Sequence, residues 1–221
     1  MTPQPPHLRG APAFAPLATF RLGRREMAGR GGGDRAGLST GSEDVLAGHE
    51  GGGQTEARQR SATMYKSPSP LPEAARKEIA ESLNARLADG LDLHSQIKVA
   101  HWNIKGPQFP GLHPLFETFA IDLANFNDAM AERAVTLGGR AYGTVRHVAK
   151  TSQLVDYPQE TTRDIEHVRL LADRFDTFLA GVRSTRSSVE KLGDTDTVDL
   201  LTQVATAFEK HAWFLRASAE G

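Results

Sequence analysis

The sequence predicts an all-α protein: a four-helix bundle with one long crossover, preceded by an N-terminal extension of different composition. Three observations carry this. Four stretches beyond residue 70 repeat apolar residues at steps of three and four over many turns, the signature of helices packed side by side. No segment alternates convincingly with the period of two that half-buried strands require. Glycine and proline pairs fall between the periodic stretches rather than inside them.

The first helix is predicted over 72–104. Pro72 suits a first helical turn, and Ile79, Leu83, Leu87 and Leu91 follow at four-residue steps up to the break at Gly106-Pro107. The second, about 111–137, places Leu112, Phe116, Phe119, Leu123, Phe126 and Met130 on one stripe and stops at Gly138-Gly139. The third, about 161–191, carries Ile165, Val168, Ala172, Phe175, Leu179 and Val182. The fourth, about 195–218, carries Val198, Leu201, Ala205, Phe208, Ala212 and Leu215. Short links make helices one and two, and three and four, antiparallel hairpins. Residues 138–160 are too long for a simple loop and suit a crossover joining the hairpins, with a short helix near Val145–Lys150.

Composition divides the chain near Met64. Residues 1–63 hold 12 of the 21 glycines and 5 of the 12 prolines, with no sustained apolar period. Such a stretch buries too little apolar surface to offset its chain entropy and reads as disordered. Its eight arginines and six acidic residues give a net of +2, against 18 basic and 21 acidic groups, a net of −3, in residues 64–221. It reads three ways: as a targeting segment, though it lacks a signal-peptide core; as an arm gripping DNA phosphates with Arg21, Arg24, Arg25, Arg30 and Arg35; or as sequence upstream of a start at Met64, or at Met27. No run is apolar enough to span a membrane. The absence of cysteine excludes disulfides and thiolate metal sites and is compatible with a reducing, cytoplasmic location. Any metal is held by His, Asp, Glu or backbone oxygen.

The first hairpin carries the chemistry. His101 lies in the last turn of helix one and His113 in the first turn of helix two, and a tight turn at Gly106-Pro107 can bring them together. Glu117 follows His113 by four residues, so both share a face. Asp128 and Glu132 repeat that spacing eleven residues further on, roughly 16 Å along the helix. One straight helix cannot close a single site from both pairs. Two antiparallel copies can, each giving its His/Glu end to the other's Asp/Glu end. Imidazole with carboxylate suits ferrous and ferric iron, and also zinc or manganese. Taken singly, an i,i+4 carboxylate pair also describes a solvated face. Trp102, Phe109 and Phe116 read as core, Arg133 as a neutraliser of Asp128 or Glu132, and His94, His147 and His211 as surface or interface residues. The pair Asp164/His167 imitates a di-iron motif but has no carboxylate pair opposite.

The run Lys98-Val99-Ala100-His101-Trp102-Asn103-Ile104-Lys105-Gly106-Pro107, with Phe109, His113 and Phe116-Glu117, resembles the signature of the Dps family of mini-ferritins. Asp128-Ala129-Met130-Ala131-Glu132-Arg133, Leu137-Gly138-Gly139 and Gly143-Thr144 continue it. So do Tyr157-Pro158, Ala172-Asp173-Arg174-Phe175 and Trp213-Phe214. The resemblance covers about 64–219 and implies a ferritin-like bundle in a hollow homo-dodecamer of two-fold dimers. It implies a ferroxidase that oxidises Fe(II) with hydrogen peroxide and stores ferric mineral, with two irons per inter-subunit site. His101, His113 and Glu117 would come from one subunit, Asp128 and Glu132 from its partner. DNA protection, DNA binding through the tail and nucleoid association also follow from the resemblance. Nucleoid compaction with secondary iron chemistry, or a degraded structural metal site, are the alternatives. Two departures stand out: Glu117 where the family commonly has Asp, and Pro114, which should fix where helix two begins.

Overall fold

Helix α1 (Glu73–Asn103) starts directly after Pro72, and α2 (Phe109–Thr136) returns antiparallel to it. A seven-residue helix, α3 (Val145–Thr151), interrupts the crossover. Helices α4 (Asp164–Lys191) and α5 (Thr195–Ala219) form the second hairpin. The computed structural model describes residues 63–220, and the readings of the N-terminal extension and of the alternative starts fall outside the described residues. Each hairpin packs closely within itself; α1 also lies on α4, and α2 on α5. The expected bundle with a helix in its crossover is therefore the observed one.

The predicted apolar stripes meet in a single core. Phe116, Phe119, Phe175, Phe178 and Phe208 are fully buried. Phe175 and Phe178 each present an edge-on contact to Phe208, at 5.2 and 5.3 Å between centroids, which favours one packing over a merely oily one. Where α1 crosses α2, Gly90 leaves room for the Asn127 side chain. A Cβ there would sit 2.0 Å from Asn127 Oδ1.

Polar residues of α1, of which Asn84, Asp89 and Gln96 are buried, hold the crossover down. Asn84 donates to the Arg140 carbonyl and accepts from Tyr142 N, both at 2.7 Å. Asp89 accepts from Gln153 N, Asp92 from the Ser152 hydroxyl, and Gln96 donates to the Val155 carbonyl. Irregular backbone has no ladder of its own, so side chains must satisfy it where it is shielded from water.

Two helix starts differ from expectation. Helix α2 begins at Phe109, two residues earlier than expected and five before Pro114, so Pro114 does not set its start. Proline inside the helix lacks the N–H that Pro110's carbonyl would receive, a loss confined to a turn that is exposed at both prolines. Helix α4 begins at Asp164 rather than 161, because a parallel bridge between Lys105 and Arg163 keeps the preceding residues extended. Some single-residue expectations are corrected too. Trp102 and Phe109 are 68% and 42% exposed rather than core, whereas Phe116 is core as expected. His211 is buried between Phe119 and Phe208 and bonds Asp122 through Nε2 at 2.9 Å. Arg133 reaches away from Asp128 and Glu132 to Asp194 Oδ1 (2.6 Å) and Thr197 Oγ1 (2.9 Å), at the capped start of α5.

Candidate metal centre

The last turn of α1 and the second turn of α2 place two imidazoles face to face, 3.8 Å between ring centroids. Their bonding is reciprocal. His101 Nδ1 donates to the His113 carbonyl and His113 Nδ1 to the His101 carbonyl, each at 2.9 Å. A carbonyl only accepts, so both rings carry a proton on Nδ1, which makes Nε2 the nitrogen that a neutral ring would offer to a ligand. The arrangement also gives a partner to the His101 carbonyl, one of the orphans at the end of α1.

Glu117, one turn beyond His113, sets Oε2 3.4 Å from His101 Nε2. Lys98, three residues before His101, places its ammonium in contact with that same oxygen. This hydrogen bond is the main reason the Glu117 carboxyl is held below its ordinary range, with the two imidazoles adding to it. The Lys98 ammonium also lies 5.7 Å from the centroid of the exposed Trp102 ring. The half-site is thus a pair of oriented nitrogens and a carboxylate that stays ionised, partly screened by a resident cation.

Asp128 and Glu132 are not brought to this end. Both are exposed, and among the described residues neither carboxylate has a hydrogen-bond or ion-pair partner. Asp128 borders a groove of about 390 Å³ lined by Leu87, Leu91, His94 and Ala124, and Glu132 borders the neighbouring hollow beside Val135. Burial and the nearby Lys98 lower the pKa of His94. Glu117, Ile121, Ala124, Asp128, Ala131 and Val135 follow at steps of four and three along one face of α2, with Ile121 and Val135 more than half exposed. Among the described residues, no three His, Cys, Asp or Glu groups converge closely enough to hold a metal alone.

Nothing in the residue pattern marks Lys98, although it precedes His101 by three residues and so shares its face. Asp164 and His167 stand at the start of α4 and contact neither imidazole of the pair. His167 is buried, with Nδ1 and the Tyr157 hydroxyl 2.7 Å apart.

Two hairpins, a long crossover, and histidines with carboxylates spaced along the first hairpin define a ferritin-like protein. The comparisons agree: residues 80–220 match the ferritin-like domain family. The DNA protection during starvation protein of Agrobacterium fabrum is 35% identical over 156 residues, spanning 71% of this chain and 96% of its own. DpsC from Streptomyces coelicolor superposes with a TM-score of 0.68 at 30% identity, over 71% of this chain and 91% of its own. The Dps protein from Vibrio cholerae O1, described as a member of a superfamily of ferritin-like diiron-carboxylate proteins, gives 0.66 at 27% identity, over 71% and 97%. The chain belongs to the Dps family of ferritin-like proteins.

Proposed function

We propose that the protein is an iron-storage ferroxidase whose sites form only between paired subunits. The observation that carries this is the division of ligands along α2: an imidazole–carboxylate half at one end, and an unpartnered Asp128/Glu132 half roughly 16 Å away. A two-fold axis near the middle of the exposed α2 face would bring each half against the other's complement and cover Ile121 and Val135. His101 and His113 would set affinity through Nε2, and Glu117, Asp128 and Glu132 would bridge or terminate two ferrous ions. Carboxylates favour the ferric product, which supplies driving force. Each of two Fe(II) gives one electron to hydrogen peroxide. With two protons, peroxide leaves as two waters, and the Fe(III) passes to mineral inside a dodecamer. Keeping the two-electron step at one site limits radical release near DNA.

The test is complementation. Asp128→Ala/Glu132→Ala and His101→Ala subunits should each oxidise Fe(II) with peroxide far more slowly than wild type. Co-assembled, they should recover activity, because a mixed dimer rebuilds one intact site. Equal rates in the first variant and wild type would sink the ferroxidase reading; failure of the mixture to recover would sink the shared site.

A second reading, DNA compaction, draws on the names of the relatives and on the arginines of the N-terminal extension. Twelve tails acting together would make weak phosphate contacts cumulative. Gel shifts at low and moderate salt with chains starting at residues 1 and 64 decide it. A shift lost in the shorter chain supports the arm, and no shift from either excludes it.

A further inference from the structure

The turn between α1 and α2 is held from outside the hairpin. Lys105 N donates to the Thr162 carbonyl at 2.7 Å, Asp164 N donates to the Lys105 carbonyl at 2.9 Å, and Gln108 N donates to Asp164 Oδ2 at 2.9 Å. Only the last of these depends on a side chain. Gln108 immediately precedes α2, where a backbone N–H has no helical acceptor, and no side chain of its own caps that helix. Asp164 supplies the acceptor from α4, while its other oxygen takes the N–H of Ile165 at 2.8 Å.

We propose that Asp164 is a positioning residue for the metal centre: its carboxylate fixes the α1–α2 turn, and through it the meeting of His101 with His113. The inference rests on the metal reading above. Asp164 is only 8% exposed, and the Gln108 N–H is the main reason its carboxyl lies below the ordinary range, so it is an ionised acceptor at neutral pH. The fit is close. Gly106 has φ +139°, and a Cβ there would lie 2.3 Å from Asp164 Oδ2. His113 follows Gln108 by five residues of rigid helix, so a change in the direction of the first turn moves its ring bodily. Ligand geometry tolerates about 0.5 Å. Asp164 touches neither imidazole and no expected ligand; it acts on where they stand.

The full-length protein and its Asp164→Ala, Asp164→Asn and Gly106→Ala variants are compared in two ways. Cobalt(II) titration, read by ligand-field absorption, reports the metal centre. Amide exchange by mass spectrometry over residues 104–113 reports the turn without metal, and native mass checks assembly. Removing or displacing the acceptor, in Asp164→Ala and Gly106→Ala, should weaken cobalt binding about tenfold, change its spectrum and speed exchange, with the shell mass retained. Asp164→Asn, which keeps an oxygen for the Gln108 N–H, should recover most of the affinity. If Asp164→Ala does not assemble, Gly106→Ala carries the comparison. Wild-type affinity and exchange in the Asp164→Ala or Gly106→Ala variant, or no recovery in Asp164→Asn, overturns the proposal. If wild type takes up no cobalt, the metal reading falls, and the exchange comparison alone decides whether Asp164 holds the turn.

Discussion

A resident ammonium sits inside the proposed half-site for cations. Lys98 lies against the Glu117 oxygen that faces His101 Nε2, so an incoming cation competes with it. Replacing it with methionine should raise zinc or cobalt affinity up to about fivefold, since partly exposed ion pairs are worth little; calorimetric titration checks this, and weaker binding would contradict it. The pair contributes only while Glu117 is ionised. Its folded pKa is depressed, so the contribution is present above the unfolded value of about 4.5 and disappears as pH falls through the lower folded value. The histidines and carboxylates were legible from spacing because helical period places them on shared faces. The roles of Lys98 and Asp164 were not, since each depends on a neighbour from another helix.

At the scale of elements, helix number and order were readable because a stripe of apolar residues is a local property. The fastening of the crossover was not. Asn84 lies outside the predicted stripe of Ile79, Leu83, Leu87 and Leu91, yet it satisfies backbone groups of Arg140 and Tyr142, 56 and 58 residues away. Asn84→Ala leaves those groups unpaired and should cost about 1–3 kcal/mol. Faster amide exchange at 140–143 would accompany the loss in a denaturant melt, and unchanged exchange would contradict the role. Gly90→Ala tests the α1–α2 crossing. The methyl meets Asn127 Oδ1, and the adjustment should cost about 1–3 kcal/mol, read as a lower melting temperature.

For the whole molecule, assembly and acid stability make separate predictions. Ile121→Glu puts a charge on the exposed α2 stripe; it should leave helix content intact while reducing native mass to unpaired chains and abolishing Fe(II) oxidation. Burial lowers the pKa of His167 and of His211, the latter opposed in part by Asp122. Each therefore contributes stability that is complete above the unfolded value of 6.5 and is lost as pH falls through the lower folded value. The melting temperature should drop between neutral pH and about pH 5, and less steeply in His167→Gln, where no proton can be taken up. Among the described residues, no helix is long and apolar enough to cross a membrane.

The sequence alone determined the four long helices, the helix in the crossover, and the 11-residue step that separates Glu117 from Asp128. Those follow from period and rise, which any stretch of helix obeys wherever it sits. Only the tertiary structure decided that Arg133 serves the start of α5, that Trp102 faces outward, and that His101 and His113 lock each other's tautomers. Such pairings join residues distant in sequence or across a turn, and depend on how packed helices are rotated about their axes. The opening hairpin thus has two unlike ends: its imidazole half is built within one chain, beside a turn held by a carboxylate from α4, and its carboxylate half is left facing outward.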